Sequence, residues 1–169
     1  MNGSFLADAF AHHVWATQRV MKACLALSPE QLGTTVLGTY GSILETQRHI
    51  VGADASYLFV TSGGRTTPID EDRMDLPELL TQMERHGAAW SQLLADDLDP
   101  DAILFRHRDD GSETHAPMSI RLAQALHHGS DHRSQICTVL TTLGVEPPAI
   151  DVWDFGLVDR RVVEVPPTS

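Results

Sequence analysis

The chain has 169 residues, 42% of them hydrophobic and 21% charged, which fits one globular domain with a sizeable core rather than a disordered segment. Its formal charge of −11 argues against a nucleic-acid surface, whose affinity comes from Lys and Arg on phosphates, and against binding to acidic membrane faces. No run approaches the roughly 18 apolar residues of a membrane span, and Met1 to Val14 lack the basic start and apolar run of a signal peptide, so a cytoplasmic location is expected.

A first helix is expected from about Ser4, as cap, to Leu27. Phe5, Ala9, His12, Ala16, Val20, Ala23 and Leu27 recur at three- and four-residue steps and read as its core stripe. Cys24 on this helix and Cys137 far downstream both sit among apolar neighbours and are read as buried, reduced thiols. Ser28–Pro29–Glu30–Gln31 opens a short turn or helical piece, and Gly33 to Gly38 is a loop. A second long helix starts near Ser42, which forms a capping box with Glu45, and ends before Ser62–Gly63–Gly64. Its middle carries His49. The polar stretch from Arg65 to Asp75 is loop.

A third long helix is expected from Leu76 to Leu94, with Pro77 in its first turn. The acidic run Ala95 to Asp101 ends it, because carboxylates oppose the dipole at a helix C-terminus. Ala102 to Met118 reads as a small β-hairpin turning at Asp109–Asp110–Gly111. The last long helix runs from Ser119 or Ile120 to Leu143 and stops at Gly144, with Pro147–Pro148 beyond. Asp151 to Phe155 forms a last turn that packs aromatic rings on the bundle, and Asp159 to Ser169 is expected to be a loose tail. The fold class is therefore all-α: a four-helix bundle with a small β-hairpin before the last long helix, one domain over residues 1–158.

His128 and His132 are four residues apart on the last helix, so both rings lie on one face, one turn apart. Such a pair can grip a metal ion, or can be two solvated histidines. A bundle builds metal sites from facing helices, which makes mid-helix His49 the candidate third ligand; the alternative is a satisfied core histidine. Three imidazoles suit zinc, nickel or iron and leave a position open for water or substrate. Glu45, one turn before His49, is a candidate partner for its ring. Arg133 reads either as a surface cation or as an anchor for an anionic ligand. His12 and His13 are read as pocket wall, core or surface. His127 with Asp131 reads as a surface ion pair, and His86, His107 and His115 read as solvated.

The chain resembles the DinB-like, or damage-inducible, family of metal-dependent bundle proteins, which is unrelated to the DNA polymerase of similar name. The resemblance runs through His12–His13–Val14–Trp15–Ala16–Thr17, Leu27 to Leu32, Gly38 to Leu44, Arg48–His49–Ile50 and Ala53–Asp54. It is most specific at His128–Gly129–Ser130–Asp131–His132–Arg133–Ser134–Gln135, where Asp131 and Ser134 depart from the usual His-His-Arg-Gly-Gln pattern without touching a ligand position. The resemblance implies a divalent metal held by His49, His128 and His132, and frequent homodimers. Some relatives are S-transferases or isomerases that use a low-molecular-weight thiol such as bacillithiol or mycothiol.

Three functions follow as expectations. One is a metal-dependent transferase that activates such a thiol for attack on an electrophile in stress or detoxification, with Arg133, Trp15, Tyr57 and His12 as substrate contacts. A second is a small-molecule hydrolase with Glu45 or Asp131 as base. A third is a metal-stabilised stress protein with no catalysis. A small molecule, and neither nucleic acid nor membrane, is the expected partner.

Overall fold

The computed structural model describes residues 4–108, 110–165 and 167. Among them, four long helices form the frame: α1 (Phe5–Cys24), α3 (Ile43–Thr61), α4 (Leu76–Leu94) and α5 (Met118–Thr142). The short α2 (Pro29–Leu32) and α6 (Val152–Val158), one 3₁₀ turn (Glu71–Arg73) and an antiparallel hairpin, β1 (Ile103–His107) with β2 (Glu113–Pro117), complete it. The expected all-α bundle with a hairpin before the last long helix is the fold observed. Asp109, at the expected hairpin turn, lies outside the described residues, as do Met1, Asn2 and Gly3 at the start and Pro166, Thr168 and Ser169 in the tail. No helix among the described residues is long and apolar enough to cross a membrane.

Local chemistry sets the helix starts. Ser42 Oγ accepts the Glu45 N–H at 3.3 Å while Glu45 Oε2 accepts the Ser42 N–H at 2.8 Å, so two orphan donors at the start of α3 are satisfied reciprocally. Asp75 and Glu78 cap α4 in the same way. At the other end of α5, Gly144 adopts φ 71°, and Val145 N–H reaches back to Leu140 C=O at 2.9 Å, closing the helix with the left-handed turn that glycine permits.

α1 packs on α4 and α5, and α3 packs on the same two helices, so α1 and α3 occupy opposite corners of the bundle. The long connections α1–α3 and α4–α5 therefore each cross a diagonal. The hairpin is docked on α5 by Arg121, whose Nη2 donates to Leu104 C=O at 3.0 Å and Thr114 C=O at 2.8 Å. At the far end Arg161 engages both carboxylate oxygens of Asp8, and Val162 lies against Gly156, so the chain after α6 touches α1 and α6.

The core has two apolar clusters. One gathers Val20, Met21, Cys24, Ile43, Ile50, Leu79, Met83, Ile136 and Leu140; the other gathers Phe10, Leu58, Trp90, Leu93, Met118 and Leu122. The buried face of α1 is one residue out of phase with the expected stripe. Phe10, His13, Ala16, Thr17, Val20, Met21 and Cys24 face inward, whereas Phe5 is 87% exposed and His12 only half-buried. The helix also ends at Cys24 rather than Leu27.

The phase difference has a cause in the middle of the bundle. Between the two apolar clusters, each long helix contributes a buried ionisable side chain: His13 from α1, Asp54 from α3, His86 from α4 and Arg133 from α5. Asp54 Oδ1 accepts from His13 Nε2 at 3.2 Å, and its Oδ2 accepts from Trp90 Nε1 at 3.0 Å. His86 Nδ1 stands 3.2 Å from Oδ2, within ion-pair distance but without the alignment of a hydrogen bond. Arg133 Nη1 donates to His13 Nδ1 at 3.0 Å and to Thr17 Oγ1 at 3.1 Å. Because a guanidinium has only donors, His13 Nδ1 must be the acceptor and Nε2 must carry the proton that points at Asp54. Burial alone would raise the Asp54 carboxyl, but the His13 hydrogen bond above all, with His86 standing beside its other oxygen, holds it well below the usual carboxylate range. Arg133 and Asp54 are thus a buried charge pair bridged by a histidine, and together with His86 they tie four helices at one level.

Two sequence expectations are corrected here. His86 is not solvated: it is 4% exposed, and Gln82 Nε2 donates to its Nε2 at 3.0 Å. Arg133 is not a surface cation. It is 3% exposed, and burial lowers its pKa to about 10. A signal for both existed in the chain. His86 falls on the apolar stripe Leu79, Met83, Trp90, and Arg133 on the stripe Ala125, Gly129, Ile136, Leu140.

Candidate metal centre

His49 on α3 and His128 and His132 on α5 come together, as the spacing and the bundle architecture predict. One nitrogen from each lies within 4.8 Å of the others, and all three residues are half-buried. The ring centroids are 4.7 Å apart for His49–His128, 4.8 Å for His49–His132 and 4.5 Å for His128–His132. His49 Nε2 and His128 Nε2 are 2.9 Å apart. Nitrogens bound tetrahedrally to one zinc at about 2.0 Å would stand about 3.3 Å apart, so small ring rotations bring this pair to liganding separation.

The protonation states suit a metal. Burial, then the neighbouring His132 and His49 rings, push the His128 pKa down to about 4. Burial, then His132, lowers that of His49. Both rings are therefore neutral near pH 7, the state in which an imidazole donates a lone pair.

The surroundings orient the ligands. His132 Nδ1 is 2.9 Å from Gln135 Oε1. Because that oxygen only accepts, Nδ1 carries the proton and Nε2 is free to face the other two rings. Gln135 Oε1 also accepts the Tyr40 N–H at 3.0 Å, which fixes the loop before α3 against α5. Tyr40 stacks on His49, with centroids 4.0 Å apart and planes 10° apart, and meets His132 edge-on at 5.3 Å. Tyr57 stands edge-on to His128 at 5.9 Å. Gln135 and Tyr40 carry no sequence signal of a ligand, yet they set the tautomer and the ring angle. Gln135→Ala is expected to weaken zinc affinity by about 10- to 100-fold while the four-helix circular dichroism spectrum stays unchanged; competition with a fluorescent zinc chelator measures it, and an unaltered affinity would remove Gln135 from the site.

The group opens on a cavity of about 420 Å³ lined by His49, His128, Ser56, Tyr57, Glu71 and Arg106, among others. Of the four substrate contacts expected from sequence, only Tyr57 is there. Trp15 and His12 lie on α1 against Phe155 of α6, with ring centroids 5.5 and 5.9 Å from it, and His12 Nε2 donates to Ile150 C=O at 2.8 Å. Arg133 is in the core. The cation that faces this cavity is instead Arg106, on β1. Glu45 does not hold His49: its carboxylate is spent on the Ser42 cap. Asp131 is exposed on α5. The donor set fits a borderline divalent ion: three imidazoles, one of them in a fixed tautomer, and an approach from one side for a further ligand.

No curated protein matches the chain. The model of the DinB family matches residues 1–158, which takes in every helix of the bundle and all three histidines. The chain belongs to the DinB family.

Proposed function

We propose that this protein is a metal-dependent transferase in which His49, His128 and His132 hold a divalent transition ion and a low-molecular-weight thiol is the nucleophile. The observation that carries the reading is the three-nitrogen set beside a cavity of about 420 Å³. A closed structural site takes four protein ligands, whereas three with room beside them leave a position for an exchangeable molecule. When bound, the ion supplies a Lewis acid that favours thiolate over thiol at neutral pH.

The chain's residues perform the rest. Gln135 holds the His132 ring in one tautomer, and Tyr40 covers one face of His49 and keeps water from it. Arg106 offers a cation for an anionic group of the substrate, and Tyr57 and Ser56 offer hydroxyls. The nucleophile comes from outside the chain. Burial pushes the Cys24 thiol up to about 12 and raises Cys137 too, so neither is a thiolate at pH 7.

The test has two steps. Elemental analysis of untagged protein is expected to give about one equivalent of zinc, nickel or iron, and none in a His128→Ala, His132→Ala double variant. Metal-loaded protein is then expected to accelerate conjugation of at least one member of a thiol panel to an electrophile such as monobromobimane. Metal binding with no conjugation, but with turnover of ester or amide substrates, would replace this reading with a hydrolase.

A further inference from the structure

Glu71 opens the 3₁₀ turn that packs on α3. Its carboxyl lies directly on the backbone of Gly52: a Cβ built there would meet Glu71 Oε1 at 2.1 Å and Cδ at 2.2 Å. Gly52 is three residues after His49, one turn along the same side of α3. A glycine in mid-helix costs about 1 kcal/mol relative to alanine, and here its missing side chain is the space the carboxyl occupies. The carboxylate lines the cavity shared by His49 and His128, and also a second cavity shared by His49 and Tyr40.

Its neighbours are otherwise engaged. Arg73 of the same turn pairs with Asp70 at 3.0 Å, and Arg48 Nε donates to Met74 C=O at 3.0 Å. Among the described residues no hydrogen bond or ion pair holds the Glu71 carboxylate, although the residue is half-buried. It is the one carboxylate among the residues lining the cavity beside His49 and His128. The set of nitrogens within 4.8 Å of one another does not include it. It stands outside the ligand group and beside the space next to it, where a base acts on a bound molecule rather than on the ion.

We propose that Glu71 is the proton acceptor for the thiol, resting on the transferase reading above. The S–H bond breaks, the proton goes to a Glu71 carboxylate oxygen, and the electron pair stays on sulfur as thiolate.

Stopped-flow mixing of cobalt-loaded protein with 2-mercaptoethanol near pH 7 reads the rate at which the sulfur-to-cobalt charge-transfer band appears. Glu71→Gln is expected to slow it by about 100-fold with the final band intensity unchanged, because glutamine has no site for the proton. Gly52→Ala keeps the glutamate but pushes it off its seat, and is expected to slow the band as well while melting no lower than the wild type. Equal rates for the wild type and Glu71→Gln would overturn the proposal. So would a loss of cobalt affinity or melting temperature in Glu71→Gln with the rate unchanged, which makes Glu71 structural. A wild type that binds no cobalt overturns the transferase reading and this inference together; cobalt and thiol binding at equal rates overturns this inference alone.

Discussion

Gly129→Ala is expected to destabilise the protein by about 3 kcal/mol and to lower its melting temperature by about 6 to 12 °C. The sign is opposite to that of an ordinary helix. Gly129 lies inside α5, where replacing glycine by alanine normally gains about 1 kcal/mol from backbone entropy. Here the new Cβ would sit 2.3 Å from His13 Cε1, 2.6 Å from His13 Nδ1 and 2.9 Å from Arg133 Nη1. The His13 ring is 1% exposed and held at both nitrogens, by Arg133 at 3.0 Å and Asp54 at 3.2 Å, so it has no rotamer to escape to. Moving it far enough for the methyl group breaks the bridge between Arg133 and Asp54 and leaves two buried charges without their partner. That cost outweighs the entropy gain. Gly52→Ala is the internal contrast, because the atom it meets belongs to the end of a flexible glutamate. Thermal and urea unfolding of the two variants measure the difference, and a Gly129→Ala protein as stable as the wild type would mean that the network can rearrange at low cost.

The same network explains what was legible in the chain and what was not. Helix existence and type were legible because apolar spacing and caps agree: Ser42 with Glu45 starts α3 and Leu76–Leu94 is α4 to the residue. The phase of α1 was not. Its inward face carries His13 and Thr17 at core positions, while the neighbouring stripe through Phe5, Ala9, His12, Ala16 and Val20 satisfies helical spacing equally well. Asp54 and His86 were hidden too. Polar residues are placed inside only when partners on other helices satisfy them, and those partners are 41, 36 or 120 residues away in the chain.

The metal group was more legible because its geometry is mostly local. Helical spacing places His128 and His132 on one face without any tertiary knowledge, and only His49 needs the facing helix. The lining of the cavity beside them needed all of it. Arg133 follows His132 directly, but one step along a helix rotates the side chain by about 100°, which carries it from the face of the three histidines into the core. Arg106 and Glu71 come from a hairpin and a 3₁₀ turn, whose placement against α3 no spacing rule gives.

His128→Ala is expected to reverse its effect on stability between metal-free protein at low pH and zinc-loaded protein at neutral pH. In the folded protein burial, then His132 and His49, hold the His128 pKa at about 4, against about 6.5 for the unfolded chain. Between those values the unfolded state binds more protons than the folded one, so stability falls as pH drops from 6.5 towards 4. Because the ring is only half-buried, the full shift overstates the effect, and about 1 kcal/mol of loss by pH 4.5 is a reasonable scale. Alanine removes that loss, and with it the approach of His128 Nε2 to His49 Nε2 at 2.9 Å. At pH 7.5 with zinc at 100 times its Kd, the wild type instead gains about 2.7 kcal/mol from binding to the folded state alone, which the variant cannot collect with two ligands. Melting curves with chelator at pH 5 and with zinc at pH 7.5 should therefore cross: variant above wild type in the first, well below in the second. Equal zinc-induced shifts in both proteins would show that His128 is not a ligand. A wild type with no acid sensitivity between pH 6.5 and 4.5 that the variant lacks would show that its ring is not held neutral by its neighbours. The crowding that makes His128 acid-sensitive in the metal-free fold thus also prepares it for an ion, because the neutral ring that burial favours is the state an ion requires.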